Sequence, residues 1–214
     1  MTNSVPLMRG STHVRDVVIS YLQNVLPLML EVARRDWGLT DTFLPDPFSY
    51  QKTEAFEMGN NSPIISCNVA NMDGIYRQDV DTSNGLILYS MKYSVQLFLW
   101  IRTPEDALGQ NATGVTNSKY DSTVQLRDDY AALIRNALLL SPTLGSPDAL
   151  LDENTLTENY SDTTGQGNGS WISSVRFNFD LKMDEVLPTT ILGNATIVHV
   201  DSVHLLSKTS STSI

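Results

Sequence analysis

Tyr93-Ser94-Val95-Gln96-Leu97-Phe98-Leu99-Trp100-Ile101 is the stretch on which the fold turns. Its odd positions are apolar throughout, whereas the even positions change from Ser94 and Gln96 to Phe98 and Trp100. Side chains alternate across a strand, so one face of this strand lies in a core and the other turns apolar at its end. It reads as the central strand of a sheet, with Val95, Leu97 and Leu99 turned toward long helices. Phe98 and Trp100 then mark where the second face is covered by a loop or by a neighbouring subunit.

Working outward, the extended run begins at Leu86, with a bend or bulge expected near Ser90-Met91-Lys92, and Arg102-Thr103-Pro104 ends it. Pro63 to Val69 reads as a short strand, Asn71-Met72-Asp73-Gly74 as a turn, and Asp81-Thr82-Ser83-Asn84-Gly85 as a hairpin turn. An amphipathic helix is predicted from Thr12 to Arg35, capped by Ser11-Thr12. Its inward stripe is Val14, Val17, Val18, Tyr21, Leu22, Val25, Leu28, Met29 and Val32. Pro27 should kink it, Arg34-Arg35 complement the negative end of its dipole, and Gly38 stops it. A second helix begins near Ser118 or Ser122, with Leu126, Tyr130, Leu133, Ile134, Ala137 and Leu138 inward, and Ser141-Pro142 closes it. On it, Arg127, Asp128, Asp129 and Arg135 read as a solvated face. Val175 to Asp184 alternates apolar and polar positions without error, a half-buried strand, and Asn194 to Leu206 gives a weaker last strand.

This order predicts an α+β fold: a mainly antiparallel sheet, two long amphipathic helices on one face, and extended loops or a projecting hairpin. With 214 residues, a single structural domain (1–214) is expected. It carries a loose N-terminal arm (1–10), a long linker (40–63) tacked down by Phe43, Phe48 and Phe56, a flexible loop (143–170), and a polar tail (207–214). The composition of 152–169 cannot bury apolar area unaided, so that segment should order only against another subunit or layer, and its deletion should spare thermal stability while weakening assembly.

The net charge of −10, from 14 basic and 24 acidic side chains, argues against specific nucleic-acid binding, because phosphate neutralisation supplies most of such affinity. The N-terminus shows neither a basic region nor an apolar core, so no secretory signal is expected, and the apolar stretches read as too short or interrupted to span a bilayer. Asn60, Asn111, Asn159, Asn168 and Asn194 head Asn-x-Ser/Thr triplets, which mark polar, exposed segments. Cys67 is the single cysteine and reads as a small buried residue. His199 and His204 are five apart on a predicted strand, hence on opposite faces, and with His13 they make no metal set. Gly165-Gln166-Gly167-Asn168-Gly169 lacks the following helix that a phosphate cradle requires. The pairs Asp152-Glu153 and Asp184-Glu185 read as adjacent carboxylates on flexible segments, and Asp79 and Asp81 lack calcium-loop spacing. Trp37, Trp100 and Trp171 are too dispersed for a saccharide platform. No catalytic, cofactor-binding or metal residue is assigned, no cofactor is expected, and the chain reads as a non-enzyme.

In outline, the chain resembles tail terminator and head-tail joining (neck) proteins of long-tailed bacteriophages. The resemblance rests on the helix Thr12–Arg35, the long strand Leu86–Ile101 with its Arg102-Thr103-Pro104 exit, the helix Ser118–Leu140, and the strands around Val175–Met183 and Thr196–Leu206. It implies a virion protein, made in the host cytoplasm, that forms a hexameric ring at the head-proximal end of the tail. Such a ring ends the tail tube, contacts the tube protein and a neck or connector protein, lets DNA through its lumen, and touches no membrane. The linker 40–63 and the loop 143–170 exceed the length of a small member of that family. That length keeps a different neck, baseplate or minor tail position in view, beside a carbohydrate-binding module or a hydrolase from other classes.

Overall fold

The computed structural model describes residues 10–52, 62–81, 86–103, 119–164 and 171–188. They form α1 (Ser11–Trp37), β1 (Ser49–Gln51), β2 (Ile64–Asp81), β3 (Leu86–Thr103), α2 (Lys119–Leu140), β4 (Ala149–Thr164) and β5 (Trp171–Pro188). The sheet order is β1-β2-β3-β5-β4, antiparallel except for the short parallel β1–β2 pair. This is the expected α+β architecture, with β3 at its centre. Met91, Tyr93, Val95, Leu97, Leu99 and Ile101 join the helices and the odd positions of β5, from Val175 to Met183, in one core. The even positions of β3 belong to the opposite face, as the alternation requires.

Both helices lie on the core face. The inward stripe of α1 is rotated from the expected one: Ile19, Leu26, Leu30 and Ala33 are buried with Val14, Val18 and Leu22, whereas Leu28 and Val32 are exposed. Too many apolar residues surround this helix for periodicity to select its face. The helix is also long and apolar enough to cross a membrane, contrary to expectation, but much of its apolar surface forms the core. It continues past Pro27, and Gly38, at φ +67° in the left-handed region that favours glycine, ends it as expected. The N-cap is Gly10, and neither Ser11 nor Thr12 supplies a capping side chain. α2 buries Tyr130, Leu133, Ile134, Ala137 and Leu138 as its stripe predicts, and Tyr21 Oη donates to the Ala137 carbonyl across the helix pair at 2.6 Å.

Three expectations about the strands are corrected. Asn71–Gly74 is not a turn, because β2 continues through it to Asp81. The turn-forming residues are absorbed as irregularities in the β2–β3 register, between Val69 and Asn71, between Met72 and Gly74, and between Arg77 and Asp79. The bulge expected near Ser90–Lys92 therefore sits on β2 instead, and β3 pairs with β5 without interruption. Residues 149–164 of the expected flexible loop form β4, a 16-residue edge strand paired with β5 of the same chain. β4 and β5 close at Thr164↔Trp171, which makes the hairpin reading of 143–170 the right one.

The linker holds β1 and is tacked by Leu44, which is fully buried, while Phe43 is half-buried and Phe48 exposed. Arg34 Nε donates to the Leu44 carbonyl at 2.8 Å, and its guanidinium pairs with Asp41 and Asp46. Phe56, the expected strand 194–206, the arm 1–9 and the tail 207–214 lie outside the described residues.

Candidate interaction faces

Several of the polar residues weighed for chemistry have structural partners among the described residues. Cys67 lies on the core face opposite Leu97, fully buried, and burial pushes its thiol up to about 12. Asp152 sits at the irregular step of β4, where it accepts from the Asn154 backbone N–H and side-chain amide, each at 3.2 Å. Glu185 is buried rather than flexible. It accepts from Tyr93 Oη at 3.1 Å and from the Gly10 N–H at 3.3 Å, which sets a carboxylate at the positive end of α1. Burial and that carboxylate hold the Tyr93 hydroxyl above the usual phenol range. The backbone N–H of Asp184 donates to Asp148. Asp79 and Asp81 fall on β2, whereas Asn84, His199, His204 and the glycine run 165–169 lie outside the described residues. His13 is half-buried in the first turn of α1. Trp37 is at the end of α1 and Trp100 on the far face of β3, so they share no platform; Trp171 opens β5. Among the described residues, no group of three or more His, Cys, Asp or Glu is placed to hold a metal ion.

The face of the sheet away from the helices has two parts. Near its β3 C-terminal end, Phe98 and Trp100 stack with centroids 6.0 Å apart and planes at 15°. Ile64, Ser66 and Asn68 of β2 flank them, and Ser174, Arg176 and Asn178 of β5 pair with Trp100, Phe98 and Gln96. Toward the other end, Ser94 Oγ bridges Asp180 (2.9 Å) and Asp73 (2.7 Å), and Lys92 Nζ pairs with Asp180 at 2.7 Å. The hydrogen bond and charge of Asp180 hold the Lys92 ammonium above its ordinary value, which keeps it protonated and unsuited to act as a base or nucleophile. Beside this polar ladder is an open cleft of about 500 Å³, walled by Tyr76, Leu150, Asp152, Glu153 and Lys182. Gly74 makes room there, because a Cβ on it would stand 2.9 Å from the Tyr76 ring.

The edge strand β4 is joined to α2 by charge, which the solvated-face reading of Arg127 missed. Arg127 is buried, and it pairs with Asp162 at 2.5 Å and with Asp128 at 2.8 Å. Its guanidinium carbon lies 4.9 Å from the Tyr160 ring centre. Two turns further on, the half-exposed Arg135 pairs with Glu158 at 3.0 Å. Eight helical residues rise about 12 Å and four strand residues span about 13 Å, so two arginines eight apart match two carboxylates four apart. That spacing match is the signal present in the sequence.

No protein-family model matches this chain, and no curated protein is significantly similar to it.

Proposed function

We propose that the chain is a structural assembly subunit of a long-tailed phage virion. In this reading it forms a ring, most simply a homohexamer, at the head-proximal end of the tail, ending the tail tube and joining it to the neck. The observation that carries the reading is the stacked Phe98–Trp100 pair on the sheet face opposite both helices. A large stacked aromatic pair among polar rows is the composition of an interface centre, where aromatic anchors supply most of the binding energy. The negative net charge supports passage of DNA through a lumen without retention.

Partners in this proposal are further copies of the chain, the tube protein and a neck or connector protein, with neither specific nucleic-acid binding nor a membrane. The chain acts as a non-enzyme without a cofactor. A different neck, baseplate or minor tail position is the second reading, favoured by the length of β2 and β3 beyond the core. The test is association of the Phe98→Ser/Trp100→Ser protein with tail tubes. Retained fold with lost association supports the proposal, and unchanged association refutes the role given to this pair.

A further inference from the structure

The cleft on the sheet face away from the helices joins an aromatic wall to a polar floor. Across β2 and β3, Tyr76 pairs with Ser90 and Gly74 with Lys92, and across β3 and β5, Lys92 pairs with Lys182. The Tyr76 ring is laid back over Gly74, where a Cβ would stand 2.9 Å from its Cε2 atom and 3.3 Å from its hydroxyl oxygen. Tyr76 is nevertheless 65% exposed, and it lines the cleft of about 500 Å³. That volume is in the range of small-molecule sites. On the floor of the cleft, the Ser90 hydroxyl is buried and has no hydrogen-bond partner among the described residues. A buried hydroxyl without a partner is costly, and a ligand hydroxyl seated against it would supply one.

We propose that this cleft binds a neutral sugar ring, packed on Tyr76 and held through its hydroxyls by Ser90, Lys92 and the Asp152–Asn154 rim. A pyranose presents C–H groups on its faces and hydroxyls around its edge, so it needs an aromatic surface beside mixed donors and acceptors. The polar groups here are already fixed. Lys92 Nζ donates to Asp180 at 2.7 Å and keeps further ammonium protons to give, while Asp152 Oδ1 holds the Asn154 side-chain amide at 3.2 Å. Charge selects against ionic ligands. The lining sets Asp152, Glu153 and Asp180 against Lys92 and Lys182, so an anion meets carboxylates and a cation meets ammonium groups. The inference is independent of the virion reading.

The test is saturation-transfer NMR on the full-length protein with the methyl glycosides of glucose, galactose and N-acetylglucosamine, each at millimolar concentration. Transfer to the C–H protons of at least one of them is expected. Tyr76→Ala should abolish it, and Gly74→Ala, which keeps the ring but displaces it, should weaken binding roughly tenfold. Phe98→Ser/Trp100→Ser, at the other end of the same face, should leave it unchanged. Circular dichroism checks that each variant keeps the fold. Absence of transfer to all three glycosides, or transfer that survives Tyr76→Ala, would overturn the proposal. Inorganic phosphate is the second probe: displacement of the glycoside by an equal concentration of phosphate would mark an anion site and would also overturn it.

Discussion

At the scale of single residues, the buried Glu185 and Cys67 act in capping and packing. Glu185 joins the Tyr93 hydroxyl to the N-terminus of α1, so Glu185→Ala leaves two donors without their acceptor. Chemical denaturation should show a loss of about 1–3 kcal/mol, with Glu185→Gln costing less because an amide oxygen still accepts. Cys67 gives a sharper expectation. Its thiol, ordinarily near 9.0, is raised to about 12 by burial, so the unfolded chain releases this proton first as pH rises. Its contribution to stability is present below pH 9 and lost between pH 9 and 12, and Cys67→Ala should flatten that part of the stability profile. Tyr50, also raised to about 12, leaves a residual slope of the same sign. The native thiol should resist labelling at pH 8 until the protein unfolds. Burial of Cys67 was legible from its apolar surroundings. The environment of Glu185 was not, because only the fold brings residues 10, 93 and 185 together.

At the scale of elements, periodicity succeeded where one face alone is apolar. The strict alternation of Val175–Asp184 and the stripe of α2 both hold. It failed on α1, where apolar residues surround the helix, and on β2, where Asn71–Gly74 looked like a turn and is accommodated by shifts in register. It failed also on β4, whose polar sequence conceals a strand held by pairing to β5 and by arginines from α2. Arg127→Met should therefore destabilise the protein by about 1–2 kcal/mol, since Asp162 and Asp128 lose their buried partner but stay accessible to water, and Asp162 keeps its bond from the Ser173 hydroxyl. Arg135→Met, at a half-exposed pair, should cost less than about 1 kcal/mol. Removal of residues 152–169 takes away most of an edge strand and uncovers β5, so a large drop in melting temperature is expected. Near-native melting would show that β4 contributes little to the sheet.

At the scale of the molecule, the two-layer fold was legible because the central strand declares a buried face and the two helices declare stripes to cover it. The other face was legible only as a question: Phe98 and Trp100 are apolar positions there, half-buried within the chain itself, and no sequence pattern says what else covers them. The proposed assembly role makes a prediction separable from stability. Phe98→Ser/Trp100→Ser should keep the native circular dichroism while losing association with copies or tail proteins. The most direct test is a density map of the virion that carries this protein, at a resolution that distinguishes helices. The account predicts a ring of this two-layer subunit at the junction of tail tube and neck, with Phe98 and Trp100 at a subunit boundary. Its absence from that junction would contradict the account.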